Sequence, residues 1–423
     1  MQSRQCGRAL ALGAGVVVAI DDATVAALSK ECSTQVVQWR RQIHANPELG
    51  FEEFETAELS AEVLRRLGLD VRSGIASTGI VATLYGSHPG PTVALRADMD
   101  ALPITEETGL PFKSGIEGRM HACGHDAHTA MLLGAATVLS KLRPQLPGNV
   151  KFILQPSEER MGGAMPMIKA GVLRDPDAEA IFATHIWPDV PYGCVHVHQG
   201  PTMASLDEFS ICIHGRGGHV ATPHKSVDAI YAAGRFVSGL QSIVSRELDP
   251  TDPVVVSVGR IEGGAAYNAI ASEVSIRGTV RTVDPGLRQV IRDKIDDHLR
   301  GIAVSDGISY DYDYHFGYPP VINSVEMANF THATATRVLG PARARFAVKP
   351  SMVGEDFAYF VQEVPGAMFL LGVGDSDIGC YPLHHSMFNF NEDILTVGVR
   401  MFAQLAVAFL ESNSISGLEV GMR

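Results

Sequence analysis

A chain of 423 residues exceeds what one hydrophobic core ordinarily supports, so two domains are expected. With 46% hydrophobic and 19% charged residues it reads as a folded globular protein, neither disordered nor fibrous. A net charge of -13 argues against the basic face that nucleic-acid binding needs, so no such partner is expected.

The chain opens with Arg4 and Arg8 ahead of an apolar run over residues 9–20, about the length of a secretory core segment. Asp21-Asp22 follows directly, without a small-x-small cleavage pattern. An N-terminal arm on a cytoplasmic protein is the expectation, with a secreted or periplasmic protein as the alternative. No other segment approaches a membrane span by its apolar length, so no membrane partner is expected. The cysteines (Cys6, Cys32, Cys123, Cys194, Cys212, Cys380) are scattered, which suits a reducing compartment better than a disulfide framework.

Residues 22–67 carry a helical pattern broken at Asn46-Pro47. Strands are predicted at 80–85 and 92–97, a helix at 127–142, a strand at 149–155, a helix at 163–170 and a strand at 180–185. Strands alternating with helices imply an α/β fold with a mainly parallel sheet. The middle differs: strand 207–213, helix 227–246, strands 254–261 and 273–282, helix 284–299, strand 308–314. That β-α-β-β-α-β order is the ferredoxin-like unit. After Tyr318-Pro319-Pro320 the α/β rhythm resumes. The expected architecture is a two-part α/β catalytic domain (22–199 and 314–423) interrupted by a ferredoxin-like α+β lid at 200–313.

The densest chemistry is His121-Ala-Cys123-Gly-His125-Asp126-Ala-His128. Residues two apart cannot share a helical face, but Cys123 and His125 converge if they lie where a loop enters a helix. The helix N-terminus also favours the thiolate that binds metal. Glu158-Glu159 follows an apolar strand, where α/β sites gather. One such carboxylate can ligate a metal while the other moves a proton. His185 ends another strand, and His384-His385 follows Pro382-Leu383. A single histidine at a strand end is more often a hydrogen-bonded core residue. Asp98, closing its strand, is placed to orient a ligand imidazole from behind.

Together the motifs resemble the M20 metallopeptidase family, in its branch of hippurate hydrolases, N-acyl amino acid amidohydrolases and auxin-conjugate hydrolases. The match is carried by Arg41-Gln-Ile-His44-x-x-Pro47-Glu48-Leu49-Gly50, Arg96-Ala-Asp98-Met-Asp100-Ala-Leu-Pro103 and His121-Ala-Cys-Gly-His-Asp126. It continues through Gln155-Pro-x-Glu-Glu159, Gly215-Arg-Gly-Gly-His219, Gly354-Glu-Asp-Phe357 and Leu383-His384.

The resemblance implies two divalent ions, zinc or manganese, with Cys123 bridging them. It assigns His125 and Glu159 to one ion, His185 and His384 to the other, and makes Glu158 the general base. Leu-His followed four residues later by an aromatic, here Phe388, selects His384 over His385. Other branches have a histidine ligand where this chain has Arg96, which fits the branch in which His125 takes over. In the lid, the resemblance implies that His219 reaches the substrate carbonyl, often across a dimer interface, and that Asn268 and Arg281 hold the substrate carboxylate. The implied activity is hydrolysis of N-acyl amino acids by a homodimer or higher homo-oligomer. A dipeptidase or carboxypeptidase of the same family is the alternative within the enzyme class. A non-catalytic binding protein on the same fold is the alternative outside it, and such a protein would have no need of Glu158.

Overall fold

The computed structural model describes residues 19–160, 162–374, 378 and 381–420, with side chains to 413. The apolar run at 9–20 lies almost wholly outside the described residues, as do Cys6 and Cys380. Helices α1 (Asp22–Glu31), α2 (Ser33–Ala45) and α3 (Phe54–Arg66) lead into strands β1 (Asp70–Ile75), β2 (Gly79–Tyr85) and β3 (His88–Asp98). Next come α4 (His125–Leu142), β4 (Pro147–Gln155), α5 (Ala164–Lys169), β5 (Ala180–Pro191), β6 (Val195–Val197) and β7 (Pro201–Met203). The middle supplies β8 (Asp207–His214), β9 (Gly218–His219), α6 (Ala229–Ser242), β10 (Val254–Gly263), β11 (Ala269–Ile270), β12 (Glu273–Thr282), α7 (Pro285–Asp306) and β13 (Ser309–Phe316). The chain then runs through β14 (Val321–Ile322), α8 (Val325–Leu339), β15 (Ala344–Phe346), α9 (Ala358–Glu363), β16 (Gly366–Gly374) and α10 (Ile394–Val420).

The large sheet has the order β1-β2-β4-β3-β5-β16-β6-β15. Its centre, β4-β3-β5-β16, is parallel, while β1–β2, β2–β4 and β16–β6 pair antiparallel. The central strands are apolar on both faces because both are covered. Val93, Leu95 and Phe369 face one core with helices α4 and α10, while Ala94, Met368 and Leu370 face a second with α5 and α9. Each such fully buried Leu, Met or Phe side chain contributes roughly 1.5–3 kcal/mol.

Two sequence expectations need correction. Strand β1 was not anticipated: its Asp70, Arg72 and Ser73 give no apolar alternation, and it is an edge strand held by pairing with β2. A second segment is apolar enough for a membrane, Ile394–Asn413, with mean hydropathy 1.6. It is instead a core helix, mostly buried and packed against α4 and β3.

The second sheet, β10-β12-β8-β13, is antiparallel throughout. Phe209, Ile211, Ile213, Phe236, Ile276 and Leu299 form its own core with α6 and α7. Helix α7 runs to Asp306, past the predicted end, and stops at Gly307, whose φ of 72° suits a C-terminal cap. The chain crosses between the sheets twice. At the crossing β7 pairs with β14, the Leu206 N–H donates to the Tyr318 carbonyl at 3.0 Å, and buried Asp207 accepts from Arg288, Tyr314 and Gly317.

Candidate metal centre

Helix α4 starts at His125, two residues earlier than predicted, and Gly124 makes the entry possible. Its φ is 85°, and a Cβ there would sit 2.2 Å from Ile186 Cδ1. Only glycine fits this turn, which carries Cys123 and His125 to the middle of β5, where His185 lies because the strand runs on to Pro191, past its predicted end at 185.

Cys123 Sγ lies 3.4 Å from His185 Nε2. His185 Nδ1 donates to the Ile186 carbonyl at 2.7 Å, so Nε2 presents its lone pair to the thiol. His125 repeats the device: Nδ1 faces Asp100 Oδ1 at 3.2 Å, leaving Nε2 directed at Glu159 Oε1, 3.9 Å away. His384 approaches from the C-terminal segment, its Nε2 3.0 Å from the same Glu159 oxygen. His384 has a φ of 65°, and its N–H donates to the Ala122 carbonyl at 2.8 Å, pinning it over the Cys123 turn. His385 is turned aside and stacks on Tyr381 at 4.6 Å.

The ligating atoms of Cys123, His125 and His185 lie within 4.8 Å of one another, as do those of Cys123, Glu159 and His384. Cys123 therefore belongs to both groups. Glu159 Oε1 lies nearer His384, at 3.0 Å, than His125, at 3.9 Å, so these contacts cross the expected division of ligands between two ions.

These residues fit a metal. His125 Nε2 is buried with no hydrogen-bond partner among the described residues, an arrangement a cation would satisfy. Burial and the nearby Glu159 and Glu158 push the Cys123 thiol well up. Burial and the adjacent His128 push His185 well down, holding it as the neutral ligand form. Burial also opposes charge on His125, but Asp98, Asp100 and Glu159 outweigh it and lift this group to about 10. A cluster this rich in negative donors is one that divalent cations neutralise.

Glu158 is buried within reach of His125 and Glu159. Burial, then Glu355 and Glu159, raise its carboxyl well above the ordinary range. The loop that carries it is held from several sides. Asp100 accepts the backbone N–H groups of Glu158 and Glu159, each at 3.0 Å. The Tyr318 hydroxyl donates to the Glu158 carbonyl at 2.7 Å. Glu53 accepts the Ser157 N–H at 2.8 Å, at a residue whose φ is 51°. Sequence reasoning gave none of Asp100, Glu53 or Tyr318 a role. Asp100 had a signal, since it sits in the motif with Asp98; Glu53 had none.

Asp98 reaches two imidazoles, with its Oδ2 3.9 Å from His125 Nε2. Its nearest imidazole is His128, at 2.7 Å, and His128 Nε2 accepts the Ile186 N–H at 3.0 Å. Asp98 thus steadies the backbone beside His185, while Asp100 orients the imidazole of His125. Arg96, fully buried, bonds Asp98, Gln155, Glu355 and Asp356.

The lid residues divide. Arg281 is half-buried, donates to the Met352 carbonyl at 3.2 Å and lies beside Gly354, next to Glu355. His219 and Asn268 stand together on the exposed β9–β11 ribbon. Among the described residues, no hydrogen bond or ion pair joins either to the Cys123 cluster.

A thiol, three imidazoles and paired carboxylates gathered around the buried, unpartnered His125 Nε2 define a metal-dependent hydrolase. Residues 94–408 match the sequence model of peptidase family M20/M25/M40. The chain belongs to this M20 family. It is 45% identical over 297 residues to an N-acyl-L-amino acid amidohydrolase of Geobacillus stearothermophilus, covering 70% of this chain and 80% of that one. It is 38% identical over 385 residues to thermostable carboxypeptidase 1 of Saccharolobus solfataricus, covering 90% and 96%. Among solved structures, the Bacillus subtilis YXEP protein, a dinuclear metal-binding M20 peptidase, superposes with a TM-score of 0.79 at 36% identity, covering 90% and 99%.

Proposed function

We propose that this protein hydrolyses the amide bond of N-acyl amino acids, giving a carboxylate and a free amino acid. Glu158 carries the reading: a carboxylate buried against the ligand cluster yet additional to the five ligands Cys123, His125, Glu159, His185 and His384. A binding protein would gain nothing from such a group.

When bound, two divalent ions, zinc or manganese, supply Lewis-acid polarisation of the amide carbonyl and acidify water. Glu158 takes the proton from the attacking water and returns it to the leaving amine. Its place beside His125 and Glu159 suits both transfers. Arg281, at the lid base, pairs with the substrate carboxylate through its planar fork.

We divide the chain into catalytic parts at 22–199 and 314–423 and a lid at 200–313, supported by the separate sheets and cores. Because His219 and Asn268 are exposed, we assign them to a site completed by a second copy of the chain. Exposed Tyr231, Ile261 and Tyr267 on the same unit suit a homodimer interface. The free thiols of Cys32, Cys123, Cys194 and Cys212 suit a reducing cytoplasm.

The test is a panel of N-acetyl and N-benzoyl amino acids beside dipeptides. The reading predicts metal-dependent turnover of the N-acyl compounds at kcat/KM at least tenfold above the dipeptides. The reverse preference would make the protein a carboxypeptidase or dipeptidase, and no turnover of either set would make it a binding protein.

A further inference from the structure

The open face of the lid sheet carries another group of metal-ligating side chains, sharing no residue with the cluster around Cys123. Cys212 and His214 are two apart in β8, so both leave the same face. That face is the one turned away from α6 and α7, because Ile211 and Ile213 point into the lid core. Strand register places Glu273 of β12 opposite His214, and Asp311 of β13 opposite Cys212. Three adjacent strands therefore deliver a thiol, an imidazole and two carboxylates to one spot, at the end of β8 away from the crossing at Asp207.

The imidazole is oriented for a cation. His214 Nε2 lies 2.9 Å from Asp311 Oδ2, which can only accept when ionised, so Nε2 carries the proton. In the neutral ring the lone pair is then on Nδ1, 3.5 Å from Glu273 Oε2 and 4.0 Å from Cys212 Sγ, a grouping that a cation between them would hold together. A carboxylate behind the ring with a lone pair in front is how metal-binding histidines are commonly held. Tetrahedral zinc, with bonds of about 2.0–2.3 Å, sets its ligand atoms about 3.3–3.8 Å apart. The observed separations are close to that.

We propose that Cys212, His214 and Glu273 form a divalent-cation site on the lid, with Asp311 orienting His214 and a further coordination position open to solvent. Thiolate with imidazole selects a thiophilic ion such as zinc over magnesium or calcium. A nucleophilic role for Cys212, with His214 as its base, fits less well. The Sγ–Nδ1 separation is long for proton transfer, and Glu273 competes for the same nitrogen. Bound there, the ion cross-links β8 to β12 on the face opposite α6 and α7. His214 is 36% and Glu273 64% exposed, so the ion exchanges with solvent more readily than one at the buried Cys123 cluster.

The full-length protein, equilibrium-dialysed against Zn²⁺, measures this directly. Cys212→Ser and His214→Gln should each bind one equivalent fewer than wild type while turnover of the best N-acyl substrate stays within twofold. Cys123→Ala should keep the lid equivalent and lose metal and activity at the other cluster. With Co²⁺, the thiolate-to-metal absorption should fall in Cys212→Ser by the share belonging to the lid. Equal stoichiometry in wild type and both lid variants would overturn the proposal. Because the readout is a difference of one equivalent, it is independent of the amidohydrolase reading, whose failure would appear as absent turnover in wild type.

Discussion

Glu158 and Glu159 are neighbouring carboxylates with different surroundings. Glu159 lies against His125 and His384, while Glu158 sits deeper among Glu355, Asp356 and Asp100. If Glu158 is the proton carrier, Glu158→Gln leaves the five proposed ligands in place, so kcat should fall about 10²–10⁴-fold with metal content unchanged. Turnover within tenfold of wild type, measured beside metal analysis, would reassign the base. Glu53 makes a prediction about pH. Burial, with Asp100 nearby, lifts its carboxyl from 4.5 to about 7. The folded state therefore binds a proton that the unfolded state has lost between these values. Stability from this group is present below about 4.5 and is lost as pH rises through about 7, by at most about 3 kcal/mol. Glutamine mimics the protonated form, accepting from the Ser157 N–H and donating to Thr78. Glu53→Gln should therefore gain denaturation midpoint relative to wild type on going from pH 5 to pH 8. A constant difference between the two proteins across that range would contradict the assignment.

Among the elements, the turn into α4 matters most, because it places Cys123 and His125 with one glycine. Gly124→Ala forces a side chain into a left-handed conformation and against Ile186, a cost of about 1–3 kcal/mol. The variant should bind less metal and denature earlier; wild-type metal content with an unshifted midpoint would show that the turn has slack. This element was legible in the sequence because the constraint is local: Cys123 and His125 flank the glycine, and no helical register brings them together otherwise. His185 and His384 were not legible from residues alone. Each is a single histidine whose partners arrive from distant segments, and family resemblance supplied them. The supports were hidden for the same reason, Glu53 reaching Ser157 across 104 positions. The order β-α-β-β-α-β was readable because buried positions alternate cleanly along β8 and β12, whereas polar β1 is defined only by its neighbour.

For the whole molecule, the question is how two sheets with separate cores make one site. Tyr318 links the crossing to the Glu158 loop, and Arg281 brings a cation from the lid to the segment before Glu355. If Arg281 holds the substrate carboxylate, Arg281→Ala should raise KM about tenfold or more with a smaller change in kcat, as expected for loss of a charged hydrogen bond. An unchanged KM would confine Arg281 to bracing the lid. The central claim is that the Cys123 cluster hydrolyses N-acyl amino acids with metal, and chelation with reconstitution tests it most directly. Protein stripped of metal should lose turnover of an N-acetyl or N-benzoyl amino acid, and added Zn²⁺ or Mn²⁺ should restore it in proportion to metal bound, reaching its maximum only when the second ion at this cluster is in place. Full turnover by the stripped protein, or none after the cluster is refilled, would contradict the account.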